Sequence, residues 1–306
     1  MENPILINIE SSNDDSNGET SKTEPLTFLP QNASDQTAPI KDLFGVRKEP
    51  FIITAQHSDI GVKRPQNQDT IMSLVALCGG DDPLVPFSIS LVADGMGGHA
   101  DGADASRAVA SYVTQNLSSR LLIPMMKDQK INDSVQDIMQ QAVLDASRTI
   151  LITDQSQMGG TTLTCGVIIK SRLYIAHVGD SRAYIYDDVS GELTQLTTDH
   201  TYVQQLLVAG EITAEEAAVH PKRNLLFRAI TGADVEVDLI TRPLPDRGTF
   251  VACSDGLWGS IDHSLMTKVI ASKGIGLQQK CEQLVAMAIE GGTTDNVSVV
   301  LTEFRL

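Results

Sequence analysis

The chain has 306 residues, 42% of them hydrophobic, and carries 23 Lys and Arg against 39 Asp and Glu for a net charge of −16. That length supports a domain with a substantial core. The acidic balance argues against a general nucleic-acid or anionic-membrane binder, because affinity for a phosphate backbone comes from clustered Lys and Arg. Residues 1–45 differ from the rest. They hold eight acids against two bases, with many Asn, Ser and Thr, and too little apolar surface to fold alone. They are expected to be a disordered acidic tail, and residues 46–306 the folded domain.

From Phe51 the pattern is dense. Strand-like runs fall at 51–57, 70–77, 87–93, 162–169, 172–178, 182–187, 236–242, 248–253 and 296–302. Helical periodicity falls at 103–121, 132–152, 200–210 and 275–290. Thr213 with Glu216 forms a capping-box pattern that opens a further short helix. Strands arrive two or three at a time, joined by short polar turns, which favours antiparallel hairpins over βαβ alternation. The expected class is α+β, a four-layer α-β-β-α sandwich of two antiparallel sheets flanked by helices. Cys78, Cys165, Cys253 and Cys281 lack C-x-x-C spacing, so buried free thiols in a reducing compartment are expected. No run of 18 apolar residues occurs and the N-terminus lacks a basic n-region, so a cytoplasmic protein is the default.

The chemistry is in the strand ends. LVADG places Asp94 after an apolar run, FVACSDG places Asp255 likewise, IAHVGD ends on Asp180, and Asp69 and Asp295 stand just before apolar runs. One such Asp makes an ordinary turn. Five at the lips of strands are expected to converge at one end of a sandwich, where like charges need a cation. Oxygen-only ligands select a hard divalent ion, Mg²⁺ or Mn²⁺, over zinc. Gly95, without a Cβ, lets its backbone approach such an ion and its carbonyl ligate.

Gly95, Gly97 and Ala100 also match G-x-G-x-x-A, the dinucleotide fingerprint. That fold requires an acid about 20 residues further on. Here the position falls in ASYVTQNLSSRLL, which is helical and has no acid. Other phosphatase chemistries also lack their residues. Cys165 to Arg172 is C-x6-R rather than C-x5-R, no D-x-D occurs, and GDSR has no G-N-H companion.

Eight blocks carry a resemblance: SDIGVKRPQNQD, VADGMGGHADG, GGTTLTCGVI, VGDSRAY, LTTDHTYVQQLLVAGEIT, LFRAITG, CSDGLWG and GGTTDNVSVV, in that order over residues 51–303. The chain resembles the metal-dependent serine/threonine protein phosphatases of type 2C, in particular bacterial members. The resemblance implies a β-sandwich flanked by helices with two metals, Mn²⁺ or Mg²⁺, in a cleft at one end. It implies metal ligation by Asp94, the Gly95 carbonyl, Asp255 and Asp295, with Asp69 ordering metal-bound waters and Arg64 gripping the substrate phosphate. Asp180, with Asp255, corresponds to a third, weaker metal site. Residues 199–228 correspond to a flap beside the cleft.

The implied reaction is hydrolysis of phosphoserine and phosphothreonine by direct attack of a water bridging two metals. The implied partners are phosphorylated proteins, the products of a serine/threonine kinase, acted on by a monomer. The histidine that follows D-G in eukaryotic members is replaced by Met96, and His99 is the loop's own candidate proton donor. A non-catalytic pseudophosphatase on the same fold is the competing class, which loss of metal aspartates would mark; all five stand. His177 reads as a core residue. His57, His200, His220 and His263 sit at element edges and need no role. Lys222, Arg223 and Arg228 read either as substrate contacts or as a solvated face with one structural Arg.

Overall fold

A computed structural model describes residues 50–79, 84–97, 100–153 and 159–306. The residues expected to form the acidic tail, and His99, lie outside the described residues. Among the described residues, eleven strands form two sheets. The first holds β1 (Phe51–Asp59), β11 (Val297–Arg305), β10 (Arg247–Cys253), β7 (Arg182–Asp187) and β8 (Glu192–Gln195), in that order. The second holds β2 (Asp69–Cys78), β3 (Val85–Met96), β5 (Leu163–Ile169), β6 (Arg172–Val178) and β9 (Asp238–Pro243), with the two-residue β4 (Gly160–Thr161) on the end of β3. Every ladder is antiparallel. The parallel pairing that a dinucleotide fold requires therefore does not occur among the described residues.

Period-two alternation sorts the strands into layers. Along β3, Phe87, Ile89, Leu91 and Ala93 face a helical layer, and Val92 faces the other sheet. The helical layer is α1 (Ala100–Leu117), which continues through a π-helical turn at Ser118–Leu122 into α2 (Ile123–Met126), and α3 (Val135–Thr153). On the other side, Val251 and Cys253 of β10 and Val297, Val299 and Leu301 of β11 face α7 (His263–Ala271) and α8 (Leu277–Glu290). Between the sheets lie Ile52, Val92, Ile168, Ile175, Phe250 and Phe304. The Ser90 and Thr302 hydroxyls meet there at 2.6 Å, which satisfies both in the dry interlayer. The expected four layers are present.

The remaining helices are α4 (Tyr202–Ala209), α5 (Ala214–Ala218) and the single turn α6 (Asp255–Trp258). The capping box at Thr213 and Glu216 is formed: the Thr213 hydroxyl accepts from the Glu216 N–H and the Glu216 carboxylate from the Thr213 N–H. β4, β8, α2, α6 and α7 are additional to the elements expected from periodicity. All four cysteines are free, with Cys165, Cys253 and Cys281 buried. Among the described residues no helix is long and apolar enough to cross a membrane.

Candidate metal centre

Antiparallel pairing brings the five acids together. Asp69 opens β2 directly opposite Asp94 on β3. The start of β5 faces the end of β6, so Asp180 leaves the second sheet at the same end. Cys253 faces Val299 where β10 ends and β11 begins, which places Asp255 and Asp295 on adjacent strand termini of the first sheet. β3 runs two residues beyond Asp94, and Gly95 pairs with Thr161.

The acids are crowded, with Asp180 buried and Asp69, Asp94, Asp255 and Asp295 half-buried. Burial, then the charges of Asp69, Asp255, Asp180 and Asp295, pushes the Asp94 carboxyl well above the usual carboxylate range. Asp255 rises likewise, from burial first and then Asp180, Asp295 and Asp69. Asp69 is raised to about 6 by burial, which outweighs the nearby Ser298 and Ser254 hydroxyls that favour its charged form. Asp180 is raised to about 7, again mainly by burial, with the Asp199 charge next. Desolvation and like charge act in the same direction here, which is the arrangement expected where a cation is to be held.

The fit to a cation rests on two atoms. Asp69 Oδ2 accepts from Ser254 Oγ at 2.8 Å, and Asp69 Oδ1 has no partner. Asp255 Oδ1 is buried without a partner as well. Buried carboxylate oxygens with no donor are costly unless something positive meets them. Among the described residues, no three Asp, Glu, His or Cys side chains are close enough together to hold a metal ion as they stand. The all-oxygen donor set suits Mg²⁺ or Mn²⁺.

Gly95 has a packing reason for lacking a side chain. A Cβ there would sit 2.2 Å from the Gly102 carbonyl oxygen and 2.6 Å from that of Gln68. The close approach that excludes a side chain is thus to α1 and to the loop before β2. Gln68 is buried, with its N–H bonded to Asn296 Oδ1 at 2.9 Å.

Arg64 reaches the cluster from the loop between β1 and β2. Its Nη2 donates to Asp295 Oδ2 at 2.5 Å, and its side chain is 46% exposed. The guanidinium thus stands at the mouth, neutralised by a candidate metal ligand. Asn296 fixes this loop, donating to the Ile60 and Gln66 carbonyls. A cavity of about 660 Å³ opens beside the acids, bounded by Asp180, Asp255, Asp295, Trp258, Arg182 and Arg223.

Arg182, two residues from Asp180, forks onto Asp199, at 2.9 and 2.7 Å, with its guanidinium 3.4 Å from the Trp258 ring centroid. Of the flap cations, Arg228 is the structural one, paired with Asp238 and Glu236. His177 is fully buried, as its apolar strand predicts. Ser254, Asn296 and Trp258 support the site through partners far away in the chain, and no local pattern announces them.

A crowded carboxylate cluster and one exposed guanidinium, at the end of an α-β-β-α sandwich, are the groups that metal-assisted phosphoryl transfer calls for. Comparison with known proteins places the chain more closely. The Protein phosphatase 2C family profile matches residues 58–206. The serine/threonine phosphatase Stp of Listeria welshimeri is 36% identical over 221 residues, covering 71% of this chain and 85% of that protein. The serine/threonine protein phosphatase PstP of Mycobacterium tuberculosis is 32% identical over 253 residues, 81% of this chain and 44% of that protein. The crystal structure of that phosphatase superposes with a TM-score of 0.70 at 31% identity, covering 83% of this chain and 99% of that one. A PstP catalytic domain in complex with two manganese ions superposes with a TM-score of 0.68 at 30% identity, covering 84% and 100%. The chain belongs to the protein phosphatase 2C family, and it is a metal-dependent protein phosphatase.

Proposed function

We propose that this protein hydrolyses phosphoserine and phosphothreonine in phosphoproteins made by a serine/threonine kinase, and that residues 46–306 constitute the phosphatase domain. The observation that carries the reading is the pair of unpartnered buried oxygens, Asp69 Oδ1 and Asp255 Oδ1, inside the five-acid cluster beneath Arg64. Asp94, the Gly95 carbonyl, Asp255 and Asp295 would hold two divalent cations, Mn²⁺ or Mg²⁺, and Asp180 with Asp255 a third, weaker one. When bound, such a pair supplies Lewis acidity to the phosphoryl oxygens and acidifies water. The protein's own groups do the rest. Asp69, with one oxygen taken by Ser254, keeps the other to hold a water in place. Arg64 leaves Asp295 to offer two parallel N–H donors to the phosphate, a geometry that suits its planar fork. The cavity beside the acids receives the residues flanking the phosphoamino acid. A proton donor to the leaving oxygen is assigned to no described residue; His99 keeps its candidacy from the sequence alone.

The test is turnover of phosphoserine and phosphothreonine peptides with Mn²⁺, Mg²⁺ or EDTA. Activity with either metal and its loss in EDTA is expected. Turnover that survives EDTA, or none with any metal, overturns the reading; the latter outcome would restore the non-catalytic class.

A further inference from the structure

His200 lies at the root of the flap, 3% exposed, one residue beyond Asp199. Both ends of the turn that carries Asp180 are held from these two positions. At its far end, Asp199 takes the Arg182 fork. At its near end, both backbone groups of Gly179 go to residue 200: the Gly179 N–H donates to His200 Nδ1 at 3.0 Å, and the His200 N–H donates to the Gly179 carbonyl at 2.8 Å. Between the two clamps, Ser181 is held from β5 and its approach, its carbonyl accepting from Thr164 Oγ1 and its hydroxyl meeting Thr162 Oγ1, each at 2.8 Å. The Asp180 carbonyl accepts from Trp258 Nε1 at 3.0 Å.

Gly179 cannot easily settle elsewhere. Its φ is +111°, and a Cβ would lie 2.5 Å from the Thr162 methyl. The bend depends on partners for its N–H and C=O, since a buried unpaired backbone donor costs about 1–3 kcal/mol.

The ring's tautomer follows from its partners. A backbone N–H only donates, so Nδ1 carries no proton and the neutral ring carries it on Nε2. Nε2–H then donates to Asp238 Oδ2 at 3.1 Å. Arg228 Nη1 stands 3.1 Å from the same nitrogen, and one of its two N–H groups donates to Asp238 Oδ1 at 2.6 Å. A continuous relay results: Arg228 fixes Asp238, Asp238 fixes the imidazole, and the imidazole fixes the bend before Asp180. The flap base joins at the same point, since the Phe227 N–H donates to the His200 carbonyl at 3.0 Å.

We propose that His200, oriented by Asp238 and Arg228, is a positioning residue for catalysis: its Nδ1 holds the Gly179 N–H, and so sets Asp180 at the metal centre and ties it to the base of the flap. The proposal rests on the reading of Asp180 as part of that centre. It predicts that displacement of the flap root moves Asp180, which side-chain burial alone would not require.

The test uses the full chain with saturating Mn²⁺ and three variants. His200→Ala removes the acceptor. His200→Asn keeps one, because the amide oxygen falls where Nδ1 was. Asp180→Asn is the control for the underlying reading. His200→Ala is expected to lower kcat by about tenfold or more on both a phosphopeptide and p-nitrophenyl phosphate, with KM little changed. His200→Asn should recover most of that loss. Hydrogen exchange at the Gly179 amide should speed up in His200→Ala and stay slow in His200→Asn. The ¹⁵N spectrum of the unaltered protein should show the His200 ring protonated at Nε2.

A folded His200→Ala with unchanged kcat and unchanged Gly179 exchange overturns the proposal. So does His200→Asn that is no better than His200→Ala, or a ring protonated at Nδ1. The spectrum needs no variant, so it decides the matter even if His200→Ala fails to fold. Asp180→Asn with full activity would instead overturn the role of Asp180, while the exchange data would still report whether His200 holds the bend.

Discussion

Asp69 and Asp94 stand directly opposite each other across the β2–β3 ladder, both half-buried, and the Asp69 charge raises the affinity of the Asp94 carboxyl for a proton. Two carboxylates in register on neighbouring strands are destabilising as a cross-strand pair. Selection for folding alone would not place them there, so the pair marks a site where binding offsets the repulsion. Neutralising one acid should therefore cost function and not structure. Asp94→Asn or Asp255→Asn is expected to lower turnover by roughly a thousandfold or more. In EDTA, the melting temperature of either variant should equal or exceed that of the unaltered protein, because a like-charge contact has been removed. Near-normal turnover in either would refute the assignment of these acids to the metal centre.

Arg64 answers to a different measurement. It is half exposed and held by one acid, so its removal leaves little unsatisfied inside the protein. If it meets phosphate in ground and transition state alike, Arg64→Ala should raise KM about tenfold with a smaller loss in kcat. Arg64→Lys should restore only part of this, since an ammonium lacks the planar fork. Freed of its partner, Asp295 is also available to metal, and calorimetry of Mn²⁺ binding to Arg64→Ala should show affinity no weaker than before. Unchanged KM and kcat would mean that Arg64 serves only to pair Asp295.

What could be read from the sequence follows from how local each signal is. Asp94 and Asp255 were legible because a strand that ends in D-G leaves its mark within five residues. The capping box of Thr213 and Glu216 is a four-residue pattern and was equally legible. α7 was not: its cap, Asp262, makes no side-chain hydrogen bond, and its apolar positions merge with those of α8. β8 has four residues, three of them exposed, and gives no alternation to detect. Asn296 acts on Ile60, Gln66 and Gln68, more than 220 residues earlier. His200 acts on Gly179 and Asp238. Such roles exist only once the sheets have formed. Gly95 shows the opposite case, a legible residue whose packing partners, Gly102 and Gln68, supply a reason that the sequence did not suggest.

The acidic N-terminal segment gives a prediction from composition. Residues 1–45 have too few apolar side chains to build a core. Deleting them should shift the melting temperature by no more than about 2 °C and leave turnover of a small phosphoester unchanged. A larger drop would show that the segment packs on the phosphatase domain.

His177 gives a prediction in pH. Its ring is fully buried on β6, with Nε2 3.1 Å from the Thr198 carbonyl and Nδ1 2.9 Å from the Thr164 hydroxyl. Burial, and then the neighbouring His200, lowers its pKa from the usual 6.5 to about 3. A base whose pKa is depressed by folding stabilises the fold above its unfolded pKa and loses that contribution as pH falls. The window runs from about 6.5 down to about 3, and each unit is worth up to about 1.4 kcal/mol. The raised carboxyls of Asp69 and Asp180 act with the opposite sign, since their contribution is present at low pH and is lost as pH rises through about 6 and 7. A difference measurement removes them. Stability of the unaltered protein and of His177→Gln, both in EDTA, contains the same carboxyl contribution, which cancels. At a pH of about 7.5 the variant should be the less stable, having lost a packed ring and its hydrogen bonds. Between a pH of about 7.5 and about 5 the gap should narrow by roughly 2 kcal/mol, because only the unaltered protein loses stability to protonation of residue 177 in the unfolded chain. Urea titrations at four or five pH values measure the gap directly. A gap that stays constant across the range would mean that the ring titrates in the folded protein as it does in water, and that its burial imposes no barrier to charge.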